Sequence, residues 1–143
     1  MKHKITIIGS GFSAMAASCY LAKSGHQVTV YEKNASIGGR ARQLKKEGFT
    51  FDMGPSWYWM PDVFERFFAD FGKKTTDYYE LIKLSPAYRV YYGIHDFITI
   101  ADNLEEIITS FEAIEKGSGA LLKNFMAEAK SNYDIAIKEL VYR

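Results

Sequence analysis

The sequence predicts an α/β fold: a parallel βαβ unit first, then hairpin strands, then C-terminal helices. Three observations carry that expectation. The run KITII (4–8) leads into a glycine turn, GSGFSA (9–14), and a second run, QVTVYE (27–32), follows within the length of a βαβ unit. Gly48 divides two further runs of strand character. Downstream, apolar residues recur at spacings of three and four, the period of helices with one covered face.

Taken in order, KITII reads as a short buried strand, and Ser13 to Ser24 as a helix stopped by Gly25. The inward face of that helix is expected to run through Ala14, Ala17 and Leu21, with small groups nearest the strand. QVTVYE is the second strand, parallel to the first. NASIGGRARQ reads as a loop, and RQLKKEGFTFDMGP as a hairpin turning near Gly48. Residues 61–72, PDVFERFFADFG, open on proline and close on glycine, the asymmetry of a helix. Val63, Phe64, Phe67, Phe68 and Phe71 share one of its faces; such a stripe serves as core more often than as the lining of an apolar pocket.

YELIKL and AYRVYYG (about 79–93) and HDFITI (95–100) read as strands, the last two paired. Asp102 and Glu105 form a D-x-x-E start for a helix carrying Leu104, Ile107, Ile108, Phe111 and Ile114 to about Gly117. A last helix is expected from Ser118, with Leu122, Phe125, Met126, Ala129, Tyr133, Ile137 and Leu140 on one face, still helical at Arg143. There is no internal repeat and no low-complexity linker.

Composition narrows the function classes. With 143 residues, 48% hydrophobic and 15% aromatic, the chain has material for a core. A net charge of +1 provides no basic field of the kind nucleic-acid binders carry. One cysteine, Cys19, excludes an internal disulfide, fits a reducing compartment and reads as a small buried side chain. Lys2 and Lys4 ahead of ITII, with Ala14-Met15-Ala16 beyond, imitate a secretory leader, but Gly9, Ser10, Gly11 and Ser13 interrupt its apolar stretch. No stretch reaches transmembrane length. His3, His26 and His95 show no partner spacing, so no catalytic acid, base or metal set is assigned.

The glycine turn is where the chemistry lies. A helix N-terminus holds anions because its first N–H groups lack partners within the helix and the macrodipole adds partial positive charge. Gly9 allows the tight turn out of the strand, Gly11 removes the Cβ that would block a pyrophosphate, and Ala14 keeps the helix close to the sheet; Phe12 and Ser13 complete the turn. Glu32, at the end of the second strand, is placed to accept both ribose hydroxyls of an adenosine and to repel a 2′-phosphate. Lys33 beside it joins the candidate site or is a solvated charge. This is the pattern of a Rossmann-like dinucleotide-binding unit, and these residues alone leave NAD and FAD both open.

VTVYEKNASIGGRARQ followed by FTFDMGPS resembles the flavin-containing amine oxidase and phytoene desaturase superfamily, which shows a dinucleotide turn, a strand-end Glu, GGR and D-x-G-P in this order. Within it, GFTFDMGPSWYWMPDVFERFF and DYYELIKLSPAYRVYYG, with Pro86, Tyr88 and Arg89 in a P-x-Y-R pattern, resemble the bacterial carotenoid desaturases. Ser13-Ala14 departs from the two glycines many of those proteins carry. The similarity runs from about residue 4 to 95.

That resemblance implies FAD, with Gly38 and Gly39 closing over pyrophosphate and ribityl chain, Arg40 supplying a fixed positive charge, and Met53, Gly54, Pro55 and Ser56 forming a turn against the flavin rings. It also implies an apolar polyene substrate desaturated by hydride transfer to flavin, and a cytoplasmic protein in peripheral contact with a membrane. Proteins of this family are several times longer. The chain is therefore expected to be an N-terminal part, with residues 1–75 in the flavin domain and 76–143 beginning a substrate domain, inactive alone and prone to self-association. An amine oxidase or polyene isomerase of the same superfamily, or a stand-alone adenine-dinucleotide module without catalysis, are the alternatives.

Overall fold

The computed structural model describes residues 1–55 and 57–141, without the side chain of Leu140. Two compact units divide the chain, Met1–Glu80 and Leu81–Arg143. The helical expectation for Tyr142 and Arg143 lies outside the described residues, as does the side chain of Leu140.

In the first unit, β1 (Lys4–Ile8) and β2 (Gln27–Tyr31) pair in parallel from Lys4↔Gln27 to Ile8↔Tyr31. Helix α1 (Phe12–Lys23) makes the crossover and ends at Ser24, ahead of the left-handed Gly25. Its half-buried face runs through Ala14, Ser18 and Leu21. That register corrects two expectations: Ala17 and Cys19 are both exposed, because each falls one position to the side of the face α1 lays on the strands.

The hairpin stands as the sequence suggests. Strands β3 (Arg42–Lys46) and β4 (Phe49–Met53) are antiparallel around Glu47 and Gly48, with φ of 52° and 83°. Two successive left-handed residues give a turn whose twist matches that of the strands it joins.

Helix α2 (Pro61–Asp70) half-buries the whole stripe from Val63 to Phe71. Tyr20 of α1 meets Phe67 and Phe71 at ring-centroid distances of 5.7 and 5.1 Å, and Phe12 meets Phe64 edge-on at 6.1 Å. The Phe stripe is half-buried, packed on α1 through Phe64, Phe67 and Phe71, while Phe68 meets Tyr78. A hydrogen bond from Tyr20 Oη to Asp70 Oδ2, 2.6 Å, pins the same junction.

The second unit holds β5 (Tyr88–Tyr91) and β6 (Phe97–Ile100), antiparallel, then α3 (Leu104–Ile114) and α4 (Ser118–Ile135), which runs on into π-helical turns over Ala136–Val141. YELIKL is not a strand. No strand pairs with it among the described residues, and an apolar run becomes a strand only where another pairs with it.

The α3 cap lies one residue later than the sequence suggests. Asn103, not Asp102, accepts from Glu106 N at 2.9 Å and donates its amide back to the Glu106 carboxylate. Asp102 instead faces Lys83 at 3.5 Å. Both residue types cap well, and here Asn103 takes the cap while Asp102 pairs with a residue distant in sequence.

Glu112 of α3 closes the opposite end. Its carboxylate accepts from Gly117 N at 2.8 Å and Gly119 N at 2.9 Å, filling the first turn of α4. Those two backbone donors hold its pKa below the ordinary carboxylate value. Glu112→Ala is expected to speed amide exchange at Gly119 and in the first turn of α4, with little change in β5 and β6; hydrogen–deuterium exchange resolved by residue checks it.

Candidate dinucleotide-binding site

The chain leaves β1 through Gly9, whose φ of 93° is open to glycine and strained for other residues. Gly9 N–H donates to the Tyr31 carbonyl at 2.6 Å, which ties the turn to the end of β2. Gly11 is the N-cap of α1 and supplies no side-chain acceptor, while the first helical bond runs from Met15 N to Gly11 O. The N–H groups of Phe12, Ser13 and Ala14 are consequently without helical partners, at the positive end of the helix.

The GGR loop docks against this turn. Gly38 N donates to Ser10 O at 2.9 Å, and Gly11 and Gly38 form an isolated parallel bridge. A Cβ on Gly39 would lie 3.2 Å from Gly11 Cα, a tight contact at a residue whose φ of 64° already favours glycine. Further on, Gly54, at φ 102°, sits against the Arg40 carbonyl, where a Cβ would overlap the oxygen.

These three segments line an open cavity of about 660 Å³. Gly9, Gly11, Phe12, Ser13 and Ala14 form one wall, Gly38 and Arg40 a second, Gly54 and Pro55 a third. The volume lies within the range of small-molecule sites. Nine of the expected site residues are thereby brought together by a fold that separates them in sequence. Gly39 stands behind the wall, against Gly11. Glu32, Lys33 and Met53 do not line the cavity, and Ser56 lies outside the described residues. Ile8 and Ala41 do line it and were not anticipated, although the last residue of a strand feeding such a turn, and the residue after GGR, border it by position.

Glu32 faces the turn from the end of β2. Its Oε2 accepts from Ser10 N and Ser10 Oγ, each at 2.8 Å, and its Oε1 accepts from Asn34 N at 2.9 Å and Asn34 Nδ2 at 2.8 Å. Ser10 is only 4% exposed, so Glu32 is what satisfies its two donors. The Asn34 and Ser10 hydrogen bonds hold the Glu32 pKa at about 2, against an ordinary 4.5.

The sign follows from that depression. The unfolded chain protonates at the ordinary value and the native chain only near the lower one, so this stabilisation is complete above 4.5 and is lost as pH falls from there toward about 2. Thermal melts across that window are expected to show a steeper decline for the wild type than for Glu32→Gln.

The residues present fit a dinucleotide: unpartnered N–H groups at a helix N-terminus for the diphosphate, Arg40 for further negative charge, and glycines wherever a Cβ would fill the cradle. No three His, Cys, Asp or Glu side chains stand together to hold a metal among the described residues.

A parallel βαβ unit with such a turn has the architecture of the Rossmann-like class, and residues 7–73 match the family described as NAD(P)-binding Rossmann-like domain. More narrowly, the chain is similar to carotenoid desaturases. It is 44% identical over 139 residues to the carotenoid 3,4-desaturase of Haloarcula japonica. It is 43% identical over 140 residues to the 4,4'-diapophytoene desaturase (4,4'-diaponeurosporene-forming) of Staphylococcus aureus strain Newman. These alignments take in 97% and 98% of this chain, which spans 28% of the length of each relative. Among solved structures, the CLA-producing fatty acid isomerase from P. acnes matches with 28% identity and a TM-score of 0.39, over 48% of this chain and 17% of that one.

Proposed function

We propose that this chain forms the part of an FAD-dependent carotenoid desaturase that grips the cofactor's diphosphate and adenosine. The observation that carries the reading is the convergence of the α1 N-terminus, the GGR loop and Gly54-Pro55 on one cavity. An NAD site needs the turn and the acidic strand end, but gives no reason for the other two segments. When bound, FAD would supply the two-electron acceptor by which a saturated polyene precursor loses a hydride and a proton. The chain's own residues orient it: the N–H groups of residues 12–14 and Arg40 hold negative charge, and Gly54-Pro55 sets the backbone beside whatever extends from the diphosphate.

The test uses the complete product of the reading frame that carries this chain. Purified protein is expected to show a bound-flavin spectrum, to be displaced by FAD and weakly by AMP, and to desaturate a phytoene-type precursor. Retention of NAD in preference to FAD would overturn the cofactor assignment.

Two further proposals accompany this reading. Ile8 is 81% exposed and Tyr31 61%, at the same end of the open β1–β2 pair, so the 143-residue chain expressed alone is expected to self-associate. A single monomeric boundary in sedimentation velocity would refute that. Polyenes partition into bilayers, which argues for peripheral membrane contact of the whole enzyme; co-sedimentation with liposomes tests it. No helix among the described residues is long and apolar enough to cross a membrane.

A further inference from the structure

We infer that the Asn34 side chain is a displaceable plug on Glu32, which the adenosine ribose must push aside to bind. The inference rests on the dinucleotide reading above and goes beyond it. A carboxylate offers about four acceptor positions, and in Glu32 all four are taken: Ser10 N, Ser10 Oγ, Asn34 N and Asn34 Nδ2. A vicinal diol arriving at this group therefore finds no vacant lone pair and has to replace one of the donors already there.

Three of the four cannot leave. Ser10 N belongs to a turn fixed by Gly9 N to Tyr31 O on one side and Gly38 N to Ser10 O on the other. Ser10 Oγ sits on a residue that is almost fully buried and has Glu32 as its partner. Asn34 N is backbone, held two residues from the carboxylate it serves. The fourth, Asn34 Nδ2, is the terminus of an exposed side chain that reaches solvent by rotation about its own χ1. Water satisfies the released amide, so the exchange leaves no polar group unpaired. Ribose binding thus trades one hydrogen bond to Oε1 for another, and Asn34 lowers adenosine affinity by occupying the position beforehand.

The experiment titrates ADP and 2′,3′-dideoxy-ADP into apoprotein prepared from the complete reading-frame product, as wild type, Asn34→Ala and Glu32→Gln. Loss of one competing hydrogen bond corresponds to about three- to tenfold tighter ADP binding by Asn34→Ala. The dideoxy nucleotide has no hydroxyl to take the vacated position, and its affinity is expected to stay unchanged. Glu32→Gln is expected to weaken ADP about tenfold or more. If Asn34→Ala binds ADP no better than wild type, or gains equally for both nucleotides, the plug is refuted while the dinucleotide reading stands on the Glu32→Gln result. If wild type fails to bind ADP, or Glu32→Gln binds it equally well, the dinucleotide reading itself fails and the plug falls with it.

Discussion

Gly54→Ala is expected to destabilise the Met1–Glu80 unit by about 3 kcal/mol and to abolish retention of the nucleotide. Two costs combine at that residue. Its φ of 102° lies where side chains are strained, and the added Cβ would overlap the Arg40 carbonyl oxygen, a backbone atom with no rotamer through which to retreat. The loop from Gly38 to Arg40 would have to move, and with it the wall of the cavity. Gly48→Ala isolates the first cost: φ there is 83°, nothing lies within 4 Å, and the residue is in the hairpin turn away from the cavity. That variant is expected to lose only about 1 kcal/mol and to bind normally. Chemical denaturation of the pair, with ADP titration of each, checks the difference; equal losses would mean that the approach to Arg40 does not matter.

Glu32→Ala is expected to have the second-largest effect, on both folding and binding. Removing the carboxylate leaves the Ser10 N–H and hydroxyl buried without an acceptor, and each stranded donor costs about 1–3 kcal/mol. The turn that presents residues 12–14 would loosen, so ADP affinity should fall by on the order of tenfold or more, beyond any direct contact with ribose. Ser10→Ala separates the two roles. It removes only the hydroxyl, keeps the carboxylate, and is expected to cost stability while preserving discrimination between ADP and its dideoxy analogue. Melting temperatures and the ratio of the two dissociation constants provide the readout.

The candidate site was legible wherever its logic is local. Gly9, Gly11 and Ala14 follow from the needs of a strand-to-helix turn, and the order of GGR and D-x-G-P after it pointed to the two segments that complete the cavity. Contacts between distant residues were not legible. Nothing in EKN announces that Asn34 fills the carboxylate of Glu32, or that Ser10 shares it equally, because both depend on how β2 lies beside the turn. The α3 cap shows the same limit: Asp102 and Asn103 are equivalent by residue type, and only the folded chain shows Asn103 on the cap and Asp102 facing Lys83. YELIKL failed for a related reason, since alternation of residue types cannot supply the neighbouring strand that a ladder requires.

The three walls of the cavity all fall between Gly9 and Pro55. On a ribosome, every residue of those walls has been joined before α2 is made. If the proposed nucleotide binds once those walls have emerged and folded, mass action would stabilise the emerging chain against proteases and misfolding while synthesis continues.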